Sequence, residues 1–208
     1  ALFVFIGLAT GATGDTTIII AHTHTNLASP PTDYNVWVNF PNTGVTYQKV
    51  LMKFTLGCGT PNCSGWDYTV NTELGKKSGT LDSTVASIDT LNHDTTWNYS
   101  DHVDYIEVGR LITPYGTYMA NNSNGFNNSW TQPYYYDVTD YAQFLKDSTV
   151  VKVHYDGWTD AFSANVEFIF IEGPPSRSVE NVQQVYHGGY GYSNSADFEN
   201  QVNVKTFY

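Results

Sequence analysis

Apolar and polar residues alternate with a period of two along much of the chain, which is the pattern of strands that bury one face. In residues 34–40, for example, Val36, Val38 and Phe40 fall on the same face. Turn residues such as Gly, Pro, Asn and Asp separate short segments of this kind, so the pattern predicts an all-β sandwich or jelly roll. The other predicted strands are 15–24, 48–56, 68–74, 85–88, 105–112, 134–138, 149–155 and 163–172.

Between these strands the sequence predicts one helix and several long loops. Residues 139–146 are the best helix candidate, with Thr139 as the N-cap. Residues 76–79 have the composition of a turn, and residues 80–104 form a polar excursion that holds only the strand 85–88. Residues 115–132 are rich in Asn and Gly and are predicted to form a loop.

The chain divides into three parts by composition. Residues 1–14 begin apolar and continue with small residues, which fits either the remnant of a signal peptide or a buried first strand. Residues 15–175 carry the predicted strands and end at Pro174 and Pro175. Residues 176–208 have no clear core, and we expect a linker followed by the start of a second domain, with a strand at 201–208.

The charge balance excludes several classes of ligand. The 208 residues include nine Lys or Arg and twenty Asp or Glu, which gives a net charge of −11. An acidic chain without a basic cluster is unsuited to nucleic acid or to an anionic membrane surface. The apolar start is also too short to span a membrane as a helix. Neutral ligands such as sugars remain open.

Two cysteines, Cys58 and Cys63, enclose four residues that include Gly59 and Pro61. These residues favour a tight turn in which the two sulfurs can meet, so we predict a disulfide and an oxidising compartment. The enclosed loop is short, and the bond would contribute only roughly 2 kcal/mol through chain entropy. Its main effect is therefore to fix the shape of one loop.

Metal binding has little support in the sequence. The cysteine pair lacks the Cys-x-x-Cys spacing of many metal sites. His22 and His24 would share one face of a strand, as metal ligands can, but no third ligand is identifiable. We therefore predict no metal and no cofactor.

Three segments resemble, in the same order, the bacterial peptide-N-glycosidase F family. Residues 50–70 combine a hydrophobic strand, Cys-x4-Cys, Trp-Asp and a returning strand. Residues 107–115 resemble the family's Gly-Arg-aromatic-Ile-Thr-Pro-Tyr segment, and residues 136–141 its Asp-Val-Thr-Asp-Phe segment. The resemblance implies the family's N-terminal domain, an eight-stranded antiparallel jelly roll with long loops and at most one short helix. This double jelly-roll architecture is shared with copper-dependent peptide hydroxylating monooxygenases.

The resemblance also implies an activity and a set of site residues. Enzymes of this family hydrolyse the amide bond between Asn and the first N-acetylglucosamine of an N-glycan. Asp67 matches the principal catalytic Asp, and Asp156 stands where the family has a Glu that contacts the substrate. Trp66, Tyr68 and Trp158 fall at positions that imply substrate binding.

Departures from the family pattern weaken the catalytic inference. Tyr68 replaces an Arg, Asp156 is shorter than the family's Glu, and the family's third acidic residue belongs to a second domain. We therefore expect this domain to be inactive without a second jelly roll. Each residue also has a structural alternative. Asp67 and Asp156 can serve as turn residues, Trp66 and Trp158 can pack in the core or at its rim, and Arg110 can form a buried ion pair.

The sequence leaves three functions open. The first is the N-terminal domain of a secreted or cell-surface bacterial protein that removes N-glycans from glycoproteins when paired with its second domain. The second is a non-catalytic surface module that binds a glycan or a surface protein or builds an assembly. The weakest is a copper monooxygenase-like domain, which rests on shared architecture alone.

Overall fold

The computed structural model describes residues 14–41, 44–60, 62–122, 125–159 and 161–184. Residues 1–13, for which a signal peptide or a first strand is predicted, lie outside the described residues. The strand predicted at 201–208 also lies outside them. The chain divides at Ser178 into two units, and the fold described here lies in the first. The proposed domain limits of 15–175 and 176–208 stay a prediction.

Eight strands, one short α-helix and one 3₁₀ turn make up the described secondary structure. The 3₁₀ turn spans Thr139–Tyr141 and precedes the seventh strand. The other elements are β1 (Thr16–Ala28), β2 (Thr32–Phe40), β3 (Tyr47–Cys58), β4 (Thr69–Asp89), β5 (Asp94–Ile112), α1 (Gly116–Asn122), β6 (Thr131–Asp137), β7 (Asp147–Tyr155) and β8 (Ala161–Glu172).

The strands form two four-stranded antiparallel sheets. The first sheet has the order β1-β8-β3-β6 and the second β2-β7-β4-β5. The first strand therefore pairs with the eighth, the second with the seventh, the third with the sixth and the fourth with the fifth. This nested pairing is the jelly-roll arrangement, so the predicted all-β antiparallel sandwich is confirmed.

Aromatic and aliphatic side chains from both sheets fill the space between them. Phe54, Phe168 and Phe170 are buried on the first sheet, and Tyr155 is buried on the second. Phe40 of β2 reaches across the sandwich, and its ring meets the Phe168 ring nearly at right angles with centroids 5.1 Å apart. Burial of each such ring stabilises the fold by roughly 1.5–3 kcal/mol, so these contacts hold the two sheets together.

The helix predicted at residues 139–146 is wrong. The chain makes only the 3₁₀ turn there, and the N-cap position is Val138, without a side-chain cap. The Thr139 hydroxyl instead accepts a hydrogen bond from the Val50 N–H group of β3, at 3.0 Å. A segment this short is a marginal helix in any case. The α-helix found among the described residues, α1, lies in residues 115–132, which were predicted to be a loop.

The turn at 76–79 and the polar excursion at 80–104 are also wrong. Strands β4 and β5 continue through them as a long antiparallel ribbon that closes at residues 90–93. A register shift between Lys77 and Leu81 absorbs the turn-like residues, and Gly79 adopts a positive φ of 86° within it. Extra residues in a bulge leave the pairing on either side intact.

The two histidines of β1 do not share a strand face. A register shift separates His22 from Thr25, and His22 is buried whereas His24 is exposed. The His22 Nε2 lies 3.1 Å from the Val151 carbonyl oxygen, and Nδ1 lies 3.1 Å from the Thr25 hydroxyl. Since the carbonyl can only accept, Nε2 donates and the neutral ring is satisfied within the protein.

Within the described residues, no helix has the length and apolar character needed to cross a membrane.

Protonation of His22 should weaken the fold as the pH falls. Burial lowers the pKa of His22 in the folded chain. When the pH falls below the ordinary pKa of histidine, the unfolded chain therefore binds the proton more readily than the folded chain. The stabilisation is complete above about pH 6.5 and decreases by at most ~2 kcal/mol between pH 6.5 and 5. Urea unfolding of the natural chain and of His22→Gln at pH 7 and pH 5 measures this.

We expect His22→Gln to lose less stability between the two pH values than the natural chain. The matched control is His93→Asn, at an exposed turn position with a φ of 57°, where Asn is well tolerated. This control should keep the full pH dependence. Equal pH dependence in the natural chain and His22→Gln would contradict the assignment.

Candidate functional site

Three chain segments meet at one end of the second sheet, where β4 begins and β5 and β7 end. Val70 at the start of β4 pairs with Tyr155 at the end of β7. Beyond this pair, the Asp156 N–H group donates to the Thr69 carbonyl, at 3.1 Å. On the other side, the Thr113 N–H group after β5 donates to the Tyr68 carbonyl, at 2.8 Å. The loops that carry Trp66–Tyr68 and Asp156–Trp158 are therefore neighbours.

The loop before β4 carries the predicted disulfide, which is present between Cys58 and Cys63. Ser64 is fully buried and organises the residues that follow. Its hydroxyl oxygen accepts a hydrogen bond from the Trp66 N–H group at 3.1 Å and lies 3.1 Å from the Thr159 hydroxyl. The disulfide and Ser64 thus fix the loop on both sides of its turn and tie it to the segment after β7.

Helix α1 presses its first residues against the same loop. The Thr117 N–H and hydroxyl groups both donate to the Gly65 carbonyl, at 2.9 Å each. A side chain at Gly116 would place a Cβ atom only 1.9 Å from the Ser64 carbonyl oxygen, so only glycine fits. Beside this contact an open cavity of about 310 Å³ lies next to the disulfide, bounded in part by Phe126 and Asn127.

The two candidate tryptophans lie outside the core. Trp66 is 55% exposed and Trp158 is 68% exposed. The Trp66 ring leans on the Tyr115 ring, with centroids 5.5 Å apart and planes inclined by 51°. These positions contradict packing in the core but not the alternative of packing at its rim, and they leave large aromatic faces in contact with solvent.

The two candidate carboxylates are exposed. Asp67 follows Trp66 directly, and Asp156 stands two residues before Trp158. Within the described part of the chain, no N–H group donates to the Asp67 carboxylate, so the turn-capping alternative has no support there. The Asp156 backbone closes the β4–β7 ladder, while its side chain is exposed. Both carboxylates can therefore meet a ligand from solvent.

Tyr68 is held in place by the protein. Its hydroxyl lies 3.1 Å from the Thr159 hydroxyl, and its ring meets the Tyr155 ring edge-on with centroids 5.7 Å apart. The Tyr68 N–H group donates to the Thr113 hydroxyl at 2.8 Å. Gly157 covers the Tyr155 ring so closely that a Cβ atom there would lie 2.0 Å from it. Tyr68 thus connects the loop before β4 with the turn after β7.

Sequence reasoning missed the residues that support the site. Ser64, Thr113 and Thr159 had no separate signal, because their roles depend on hydrogen bonds across 45 to 95 residues of chain. Tyr115 belonged to the family-like segment at 107–115, but only the fold shows that it packs on Trp66. Long-range contacts of this kind are set by the sheet topology.

Two other sequence predictions concern charged or metal-binding groups. Arg110 does form an ion pair, with Glu107 at 2.7 Å, but the Arg110 side chain is 48% exposed, so the prediction of a buried pair is wrong. Among the described residues, no group of three or more His, Cys, Asp or Glu side chains is placed to hold a metal ion.

No protein-family model matches the chain, and no curated protein is similar to it in sequence. Solved structures of the same fold do exist. A crystal structure of peptide-N(4)-(N-acetyl-β-D-glucosaminyl) asparagine amidase is 18% identical, with a TM-score of 0.51 over 78% of this chain and 44% of that protein. PNGase F, a glycosylasparaginase from Flavobacterium meningosepticum, is 18% identical, with a TM-score of 0.50 over 78% of this chain and 43% of the enzyme.

A third structure, PNGF-II, is 11% identical, with a TM-score of 0.51 over 80% of this chain and 35% of that protein. At these identities the likeness shows a common fold. The chain spans less than half the length of each of these proteins. The relation to copper monooxygenases stays a prediction.

Replacement of Gly116 tests the contact between α1 and the disulfide loop. Gly116→Ala forces the Ser64 carbonyl aside, and overpacking of this kind destabilises by about 1–3 kcal/mol. The control is Gly125→Ala, because a Cβ atom at Gly125 meets nothing within 4 Å. Thermal unfolding of both variants measures the difference. Equal unfolding temperatures for the two variants would show that the contact is not as tight as described.

Proposed function

We propose that the described jelly roll is one half of an amidase that removes N-glycans from glycoproteins. The observation that carries the proposal is the pairing of two exposed carboxylates, Asp67 and Asp156, with two exposed indoles, Trp66 and Trp158, on adjoining loops. The likeness in fold to asparagine amidases that act on N-acetylglucosaminyl groups supports the same direction. Fold alone does not determine function, so these four side chains carry the proposal.

The indoles suit the sugar part of such a substrate. Pyranose rings present flat patches of C–H groups between their hydroxyls, and an exposed aromatic face offers a matching apolar surface. Trp66 is supported from one side by Tyr115, which limits its movement. In the proposed complex Trp66 and Trp158 contact the core N-acetylglucosamine residues on either side of the two carboxylates.

The carboxylates suit the reaction. Hydrolysis of the Asn side-chain amide needs a base that takes a proton from water while the water oxygen attacks the amide carbon. We assign this role to Asp67. The disulfide and the hydrogen bond from the Trp66 N–H group to Ser64 fix the loop that carries Asp67. Asp156 accepts hydrogen bonds from sugar hydroxyls. The carbon–nitrogen bond then breaks, the peptide keeps an Asp side chain, and the glycosylamine leaves with a proton.

The leaving nitrogen takes up a proton as the carbon–nitrogen bond breaks, and the proton that Asp67 took from water returns to solvent. We propose that a second jelly-roll domain supplies the acid, as the resemblance implies. The activity then belongs to the paired domains, and the domain alone is inactive. The disulfide agrees with a secreted or cell-surface protein in an oxidising compartment.

One observation favours a second candidate function, glycan binding without hydrolysis. The family has an Arg after its catalytic Asp, whereas Tyr68 stands here and its hydroxyl is engaged with Thr159. A cation beside the reacting amide would stabilise the developing negative charge on its oxygen, and Tyr68 offers no charge. A surface module that binds glycans through Trp66 and Trp158 keeps the same site without catalysis.

Replacement of Asp67 separates the two functions. The full-length protein should release the glycan from an N-glycopeptide, and Asp67→Asn should lower kcat/KM by at least ~100-fold, because the proton acceptor is lost. Mass spectrometry of the peptide shows the expected conversion of Asn to Asp. Asp82→Asn, in an exposed strand remote from this end of the sheet, is the control and should leave the rate unchanged.

Absence of release by the full-length protein with several N-glycan types would sink the amidase proposal. Full activity of Asp67→Asn would remove Asp67 from the mechanism while keeping the activity.

Binding tests the second candidate. Trp158→Ala should weaken binding of an N-glycan by about fivefold or more, since a stacked ring contributes on the order of 1 kcal/mol or more. Isothermal titration with an N-glycan core measures this for the natural protein, Trp158→Ala and the control Trp37→Ala. Trp37 is similarly exposed but lies on β2, away from the site. Equal weakening by both variants would exclude Trp158 as a specific sugar contact.

A further inference from the structure

Strands β4 and β5 extend beyond the rest of the second sheet as a two-stranded arm. The last pair between β4 and β7 joins Gly75 to Val150, and the ladder between β4 and β5 continues to Asp89 and Asp94. We call residues 76–104 the arm. Residues 77–101 are all exposed. An isolated two-stranded ribbon is marginally stable in water, so an arm of this length gains from a covering partner.

The two faces of the arm differ in chemistry. Paired residues share a face and successive residues alternate, so the register assigns each side chain to one side. Three contacts agree with the assignment. Lys77 forms an ion pair with Asp101 at 2.5 Å, and the Lys77 ammonium lies 5.5 Å from the centre of the Trp37 ring. The Lys152 ammonium lies 4.1 Å from the centre of the Tyr105 ring. The face they define, here called the arm face, continues from the arm onto the adjoining Trp37 and Tyr105. Within the arm it carries Leu81, Val85, Ile88, Trp97, Tyr99 and Val103.

Charge is distributed unequally between the two faces. On the arm face, the charges of Lys77 and Asp101 neutralise each other. The opposite face carries most of the acidic residues, with His102 and Lys76 as its basic groups; its aspartates are Asp82, Asp89, Asp94 and Asp104. The whole chain has a net charge of −11. A second acidic chain would be repelled by the opposite face, and the neutral arm face is where it can approach.

The apolar area of the arm face matches that of a stable interface. Leu81, Ile88 and Tyr99 are each more than 60% exposed, and Val85, Trp97 and Trp37 are each nearly half exposed. Together these residues expose roughly 700–800 Å² with their polar and backbone atoms included, close to the ~800 Å² of total surface that each partner buries in a stable complex.

The arm face is self-complementary in shape. The rings of Trp97 and Tyr99 lie on β5, whereas the aliphatic side chains of Leu81, Val85 and Ile88 lie on β4. Across the ladder Trp97 pairs with Val85, and Tyr99 pairs with Ser83. A two-fold axis along the arm places β5 of one copy over β4 of the other, so that each large ring meets a small side chain.

We propose that a second copy of this chain covers the arm face, and that the two arms pack face to face about a two-fold axis that runs along them. Each copy then uses the same patch, as in other isologous interfaces. At the base of the arm, a depression of about 360 Å³ between Trp37, Lys77 and Tyr105 gives the second copy room for an inserted side chain. This inference does not depend on the proposed amidase function.

A polysaccharide fits the arm face less well than a second copy does. Sugar sites combine aromatic rings with polar groups that fix the hydroxyls. Here aliphatic Leu81, Val85 and Ile88 line the β4 side of the arm face, and the charges of Lys77 and Asp101 are already paired. A dry sheet-to-sheet contact matches this composition.

Sedimentation of the full protein at about 1–100 µM tests the proposal. We expect a monomer–dimer equilibrium or a stable dimer. The double variant Trp97→Thr and Tyr99→Thr keeps strand propensity and removes both rings, and it should weaken dimerisation by about 100-fold or more. The control is Asn98→Thr and Ser100→Thr, two exposed positions next to these rings in the sequence but on the opposite face, and this variant should dimerise as the natural chain does.

A natural chain that is monomeric up to about 100 µM would overturn the proposal, and so would a dimer that the double variant forms with unchanged affinity. If the double variant fails to fold, hydrogen exchange of the natural chain still decides. Amides of residues 80–101 should become more protected as protein concentration rises, and protection independent of concentration would refute the dimer. Saturation of the arm face by an oligosaccharide in a monomeric protein would assign it to a glycan instead.

Discussion

The antiparallel pairing of β4 with β7 is the interaction on which the candidate site depends. Val70 lies opposite Tyr155, and the next hydrogen bond joins Asp156 to Thr69. The two paired residues are separated by about half of the domain in sequence, yet both strands leave the sheet at the same place. Because of it, the loop with Asp67 and the turn with Trp158 become neighbours. A one-residue slip would turn every side chain on β7 to the other face and remove Tyr155 from beneath Tyr68.

The residues that hold the loops beside this ladder are mostly polar and buried, so each of them fixes a particular backbone group. Ser64 and Thr113 each accept a backbone N–H group that would otherwise lack a partner at the edge of the sheet. A buried donor without a partner costs about 1–3 kcal/mol, so these hydroxyls hold the loop in one conformation. Glycine is required at two close contacts, where Gly116 lies against the Ser64 carbonyl and where Gly157 lies against the Tyr155 ring. The exposed groups at the rim can then serve a ligand without contributing to the fold.

Alternation of side chains predicted most of the fold because the sandwich buries one face of nearly every strand. The predicted segments 34–40 and 149–155 end at the same residues as β2 and β7 and begin two residues inside them. The arm escaped prediction because it covers no core, so Lys76 to Gly79 had only the composition of a turn to offer. The helix predicted at 139–146 failed because Thr139 bonds to β3 instead of capping a helix. For the site, family-like motifs singled out Trp66, Asp67 and Trp158, whereas Ser64 and Thr159 depend on contacts between distant segments.

Strands β4 and β5 extend from the candidate site to the proposed dimer interface. Each begins or ends at the candidate site, and β4 runs for 21 residues before it reaches the tip of the arm, a length of roughly 70 Å if fully extended. An interface on the arm would therefore leave Trp66, Asp67 and Trp158 uncovered. A dimer joined by its arms presents two such sites at once. Two shallow aromatic sites on one rigid frame bind a surface dense in glycans more strongly than either site alone, because the second contact forms at a high effective concentration. This gain needs no catalysis, so the arm is useful to an amidase and to a glycan-binding module alike.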